Sequence, residues 1–322
     1  MTSLPAGFIA RAATFEDAAA AAEVIIANEI ELTGQPDTDT DLVIKEWKSL
    51  GEHFGANILV VATEAGRLVA FEEISALHQD GTLHIDGFIH PEFRDRGIGS
   101  YLLAWADTRG RELALGTSDQ LRISLRAGSY SQEVLGHKLL HDCGFRLVRH
   151  FYRMKIDLKE APPEPVWPEG VTRQPFRVGE DEARFQATFH EAFLDHWGYS
   201  PISAEEWIET RLRTPDFDPT LQIMAVAGAE VAGIARCGYR LGKAWVHTLA
   251  VRRPYRGQGL GMALLRSAFG EFYQRGATEI YLSVDAASPT GATRLYERAG
   301  MGVVERYDLY EKVLREPFAP VS

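Results

Sequence analysis

Apolar and polar positions along the chain alternate in two rhythms, and the series they make occurs twice. Period-two or near-continuous apolar runs predict strands at 8–12, 57–62, 68–76, 83–89, 121–125 and 145–156, because successive strand side chains face opposite sides. Apolar spacings of three and four predict helices at 16–31, 42–50, 98–115 and 132–142, with Thr14 placed to cap the first. After residue 170 the order returns. Strands are predicted at 172–176, 221–226, 231–236, 244–251, 279–284 and 303–314, and helices at 181–193, 205–212, from 260 onward and at 291–299. Between the two series lies 159–170, four of whose twelve residues are proline, a stiff connector outside any core. The expected division is one α/β domain over 1–158, a linker over 159–170 and a second α/β domain over 171–322.

In each copy a strand runs into a glycine-rich turn that opens a helix. The turns read Arg94-Asp95-Arg96-Gly97-Ile98-Gly99 and Arg256-Gly257-Gln258-Gly259-Leu260-Gly261. Both copies continue with a helix, a strand and a second helix ending at a glycine suited to a C-cap, Gly144 or Gly300. An internal duplication is the simplest account. A glycine turn at a helix N-terminus offers unpaired N–H groups and the positive end of the helix dipole, which together suit a pyrophosphate. Three readings compete for it. A plain tight turn is one. A dinucleotide-binding turn is disfavoured, since the glycine order is not G-x-G-x-x-G and no acidic residue ends a following strand at about twenty residues. A Walker-type loop is excluded, because no Gly-Lys-Ser/Thr follows.

The second turn, with Leu249-Ala250-Val251 and Arg253-Pro254-Tyr255-Arg256 before it, resembles the R/Q-x-x-G-x-G/A loop of the GNAT N-acetyltransferase superfamily. The resemblance implies two tandem GNAT domains, each a mixed, mostly antiparallel twisted sheet flanked by helices. In that fold the fourth and fifth strands splay around the thioester of acetyl-CoA, the acetyl donor. It implies donor contacts from Leu249, Val251, Arg256, Gly257, Gln258, Gly259, Leu260 and Gly261, and in the first copy from Arg94, Arg96, Gly97, Ile98 and Gly99. The run Ala292 to Gly300 matches the family's A-x-x-L-Y-x-x-x-G segment, although Ser288 or Pro289 stands where the pattern begins with Asn. This makes Tyr296 the expected general acid for the departing thiolate. A core tyrosine with a satisfied hydroxyl is the structural alternative. The first copy has Leu140 there, which has no proton to give.

Trp245 occupies the strand position where many relatives carry a basic Glu. His247, two residues on and on the same strand face, resembles the histidine of the arylalkylamine acetyltransferases. An imidazole with the ordinary pKa near 6.5 suits a general base and would set an acidic limb near pH 6–7; a merely packed histidine is the equal alternative. The first copy has Ile85 there. The tandem layout with its active groups in the second copy is also similar to the mycothiol synthases. Between the first two helices of the second copy, Glu191, Asp195, His196 and Trp197 combine carboxylates, an imidazole and an indole suited to a cationic amine. Their spacing fits no zinc motif, and acetyl transfer requires no metal.

A net charge of −11 argues against nucleic acid or an anionic membrane as partner. Two cysteines in different halves make no disulfide framework. With no targeting pattern and no long apolar run, the expected location is the cytoplasm. The expected function is transfer of an acetyl group from acetyl-CoA to a small primary amine by the C-terminal domain. A non-catalytic acyl-CoA sensor or scaffold is the alternative.

Overall fold

The computed structural model describes residues 3–214 and 216–318. The chain forms β1 (Phe8–Ala12), α1 (Ala18–Thr33), α2 (Thr40–Ser49), a short α3 (Phe54–Asn57), β2 (Ile58–Thr63), β3 (Leu68–Ile74), β4 (Thr82–Ile89), α4 (Ile98–Leu113), β5 (Ile123–Tyr130), α5 (Val134–Asp142) and β6 (Arg146–Asp157). It continues with β7 (Val171–Pro175), α6 (Glu182–Phe193), α7 (Ala204–Arg211), β8 (Gln222–Ala227), β9 (Glu230–Arg240), β10 (Lys243–Val251), α8 (Leu260–Gln274), β11 (Glu279–Asp285), α9 (Ala292–Arg298) and β12 (Gly302–Arg315). The expected elements are present, and α3 is an addition. No helix among the described residues is long and apolar enough to cross a membrane.

These elements make two compact units. In the second, the strand order is β6-β11-β10-β9-β8-β7. Helix α8 lays Leu260, Leu264, Ala268 and Phe272, one apolar stripe at helical spacing, against Ile223, Ala235, Val246 and Ile280 on one sheet face. On the opposite face, Phe185 of α6 and Trp207 of α7 cover Met224, Ile234 and Ala250. The first unit repeats the plan with the order β1-β2-β3-β4-β5-β12. There Trp47 and Val24 cover Phe71 on one face, and Ile98 and Leu102 cover Val69 and Ala70 on the other.

The closing strands are exchanged. The first unit takes residues up to Arg149 together with the C-terminal segment from Tyr307, and the second is His150–Arg306. Strand β12 pairs antiparallel with β5 from Tyr307↔Tyr130 to Arg315↔Ile123. Strand β6 pairs antiparallel with β11 over seven positions, Phe151↔Asp285 to Asp157↔Glu279. The expected division at 159–170 therefore differs from the compact units. The proline-rich connector is present, but the chain changes unit earlier, inside β6, and returns inside β12. Sequence could not reveal this, because β6 and β12 carry the same apolar pattern and either satisfies the open edge of either sheet.

A consequence is testable. The fragment 172–322 lacks the strand that completes its own sheet, whereas 150–306 keeps all six. Met154 and Leu158, contributed from before residue 159, are buried in the second core. Each such side chain is worth roughly 1.5–3 kcal/mol, against a total domain stability of roughly 5–15 kcal/mol. Fragment 150–306 should melt cooperatively by circular dichroism, and 172–322 should show no cooperative transition. The reverse result would overturn the exchange.

Candidate active site

Strands β10 and β11 are parallel neighbours, yet they pair only at Ala244↔Ile280 and Trp245↔Tyr281. Beyond Trp245 they splay, leaving the β10 backbone groups on that side facing a cleft. On its other side β10 pairs with β9, where the register shifts between Val246↔Cys237 and Thr248↔Arg236. His247 is the extra residue of this β-bulge, a device that bends the strand and re-aims a side chain. The resulting cavity, about 760 Å³, is lined by His247, Leu249 and Val251 of β10, by the turn at Arg256, Gly257 and Gly259, and by Leu260, Gly261 and Tyr296. His196, Trp197 and Tyr199 also line it, as does Phe151, the residue that the exchanged strand contributes.

The turn is held open by its backbone. Gly257 and Gly259 have φ of +76° and +89°, a region that side-chain-bearing residues rarely adopt, and a Cβ at either would meet nothing within 4 Å. That free space lies at the N-terminus of α8, so the residues present fit a pyrophosphate cradle. Arg256 lines the cavity, and its guanidinium is engaged within the fold. Its Nε donates to the Val251 carbonyl at 3.0 Å, Nη2 to the Ala192 carbonyl at 2.8 Å, and Nη1 pairs with Asp195 at 2.8 Å. The guanidinium thus ties the turn to the end of α6. Gln258 donates to the Pro254 carbonyl and does not line the cavity.

Tyr296 is buried, and burial pushes its phenol up to about 12, so it holds its proton at neutral pH. Its hydroxyl makes no hydrogen bond among the described residues, while the residue lines the cavity. The satisfied core tyrosine is therefore not what the structure contains. His247 opens to the cavity, its ring nearly parallel to that of Trp245 at 6.3 Å. Burial, with Arg236 and Arg240 nearby, pushes its imidazole down to about 3. The direction of this shift runs against the expected titration near pH 6–7.

The acceptor carboxylates expected from sequence are engaged elsewhere. Glu191 pairs with Arg252 at 2.7 Å, and Asp195 with Arg256 and Arg253, which hold its carboxyl near 2. Neither lines the cavity. His196 and Trp197 do, so half of that constellation is brought to the site. No sequence motif marks Arg211, Arg236 and Arg240, whose charges lie near the site. The available signal was the pair Arg236 and Arg240, polar at period two within an otherwise apolar strand.

The first copy has the same turn with different contents. Arg94 repeats the tie, bonding Asn28 Oδ1 at 2.6 Å and Glu31 at 2.5 Å. Arg96 lies over the Phe93 ring. Asp95, at φ +58°, replaces Gly257, and the Gly97 Cβ position faces Pro5 at 3.4 Å. Ile98 is core, while Arg94, Gly97 and Gly99 line a cavity of about 310 Å³ with the buried Glu72 and with Glu133 and Leu140. Strand β4 has no bulge against β3 and pairs with β5 at four positions. Glu73 and Asp86 face each other across the strands, and burial pushes them up to about 8 and about 7.

A family model described as Acetyltransferase (GNAT) family matches residues 25–125 and 183–301. The chain belongs to the GNAT acetyltransferase family. It is similar to a protein named mycothiol acetyltransferase from Streptomyces scabiei, 33% identical over 230 residues, 69% of each chain. Among solved structures it is similar to a GCN5-related N-acetyltransferase from Sphaerobacter thermophilus, with TM-score 0.86, 33% identity and 98% of each chain covered. A tandem GNAT protein of the clavulanic acid biosynthesis pathway shares the fold, with TM-score 0.70 and 15% identity over 98% of this chain and 100% of that one. The tandem architecture and the class of enzyme, an acetyl-CoA-dependent N-acetyltransferase, stand on these matches together with the two repeated units.

The tie between turn and helix can be tested apart from any acceptor. Asp195→Ala should free Arg256, loosen the turn and weaken acetyl-CoA binding about tenfold, roughly 1.4 kcal/mol by calorimetry. An unchanged acetyl-CoA affinity with a raised KM for the amine would instead return Asp195 to the acceptor role that its sequence context suggests.

Proposed function

We infer that the second unit transfers an acetyl group from acetyl-CoA to the primary amine of a small molecule, directly and within a ternary complex. The observation that carries this reading is that the splayed edge of β10, the glycine turn, His247 and Tyr296 line one cavity. The pyrophosphate would lie against the backbone of Gly257, Gly259 and Gly261, with the acyl arm passing along Leu249 and Val251. The amine attacks the acetyl carbonyl, and the β10 backbone N–H at Leu249 meets the developing oxyanion. Tyr296 then protonates the departing thiolate. His247 takes the proton that the attacking nitrogen gives up, and Tyr296 regains its own from solvent. The relatives named mycothiol acetyltransferase support a small-molecule acceptor.

The first unit is read as non-catalytic. Its turn carries Asp95 where a pyrophosphate would require glycine and no negative charge, and Leu140 and Ile85 stand where the second unit has the phenol and the region of the imidazole.

Tyr296→Phe keeps the ring and removes the proton. Acetyl-CoA affinity should persist while kcat falls roughly 10²–10⁴-fold where proton transfer limits the rate. For His247 the sign of the pH effect is fixed by its lowered pKa. The imidazole charges only as pH falls toward about 3, so the free-enzyme group contributes no limb to kcat/KM between pH 5 and 9. His247→Ala should lower kcat/KM across that range without changing the profile's shape. An acidic limb near pH 6–7 that disappears in the variant would refute the assignment of a pre-neutralised imidazole.

A further inference from the structure

The face of the second sheet that carries His247 is apolar under α6 and α7 and carries arginines beside the imidazole. On β9, residues 236, 238 and 240 share one side, because alternate strand residues do. Gly238 identifies that side: a Cβ there would lie 3.2 Å from His247 Nε2. The imidazole therefore sits over a glycine, flanked along the same strand by Arg236 and Arg240. Cys237, between them, points the other way into the core under α8. Arg211, at the end of α7, adds a third guanidinium whose charge acts on Arg236 and on Tyr199, a cavity-lining residue.

These arginines lack the partners that buried charges normally have. Arg236 and Arg240 form no ion pair or hydrogen bond among the described residues, and the Nε of each is sealed from solvent without an acceptor. Glu206 is the carboxylate whose charge acts on Arg211, and Arg236 has no equivalent. A guanidinium does not escape by losing its proton, so a mostly buried one without a counter-charge is costly unless something outside the chain supplies the anion. The other arginines around this unit's turn are all paired: Arg252 with Glu191, Arg253 and Arg256 with Asp195. The contrast separates charges used to hold the fold from unpaired charges that lie beside the imidazole, just behind the residues lining the cavity.

We propose that Arg236 and Arg240, supported by Arg211, form an anion subsite beside His247 that selects acceptor amines carrying a carboxylate or a phosphate. This rests on the acetyltransferase reading of the cavity and names the acceptor class that the reading leaves open. It stands in place of the cation-binding pocket expected from Glu191 and Asp195. The planar guanidinium donors suit either oxyanion, and their placement next to the imidazole brings the acceptor's amine to the reacting carbonyl while its anionic end is held at β9. An anion there also offsets the two positive charges that oppose protonation of His247, so the correct acceptor strengthens its own base.

The test uses the full-length protein and matched amines that differ by one anionic group: glucosamine 6-phosphate against glucosamine, aminoethyl phosphate against ethanolamine, and L-amino acids against their decarboxylated amines. At least one anionic member should be acetylated with kcat/KM about tenfold or more above its neutral partner. Arg236→Met should remove that preference chiefly through KM, with a smaller change for the neutral partner than for the anionic one and an unchanged KM for acetyl-CoA; Arg240→Met should do so in part. Because each variant removes an uncompensated buried charge, its melting temperature should not fall. Equal or preferred use of the neutral members, or an equal loss on both members in Arg236→Met, would overturn the subsite while leaving acetyl transfer intact. If no amine is acetylated, the transferase reading fails, and a second measurement decides the subsite. With the turn saturated by CoA, inorganic phosphate should raise the melting temperature of wild type and not of Arg236→Met; an equal shift in both would overturn it.

Discussion

Two parallel strands that share a sheet normally remain paired along their common length. In the second unit β10 and β11 meet at two positions and then part, and every functional feature follows from that divergence. The gap leaves the β10 backbone unpaired in the one place where a thioester can lie beside it. Backbone groups without partners are costly unless a ligand or solvent meets them, so a splayed edge is itself a binding surface. The bulge at His247 and the turn at Arg256 complete it. One aims an imidazole at the gap, and the other brings the N-terminus of α8 to its mouth.

The same backbone plan is used twice with different ionisable groups at its centre. Where β9 and β10 set Arg236 against Thr248, β3 and β4 set Glu73 against Asp86. Where the second turn has Gly257, the first has Asp95. The arginine ties, Arg94 and Arg256, are retained in both because they serve the turn itself. What differs is the charge of the chamber and the presence of the bulge. Duplication thus preserved the scaffold and let the chemistry diverge between the copies.

Much of this was legible in the sequence. Repeated turns, glycine caps and apolar spacing indicate two GNAT units, and Tyr296, His247 and the glycines of the second turn do share a cavity. Three features were not legible, each for a physical reason. The strand exchange leaves no local trace, since an edge strand's pattern does not specify which sheet it closes. The pairing of Glu191 and Asp195 with arginines sixty or so residues away depends on the fold, so free carboxylates were expected where none remain available. The shift of His247 comes first from desolvation at the cavity wall and then from arginines on the neighbouring strand, neither of which its own strand's pattern reveals.

The central claim is that the chemistry belongs to the second unit alone. The most direct measurement compares steady-state acetyl transfer by full-length Gly97→Val and Gly259→Val proteins. Both substitutions place a branched side chain at a left-handed turn position, so both disturb their turns comparably. The account predicts that Gly259→Val loses acetyl transfer by tenfold or more in kcat/KM for acetyl-CoA, while Gly97→Val retains it. Loss in Gly97→Val with activity retained in Gly259→Val would contradict it.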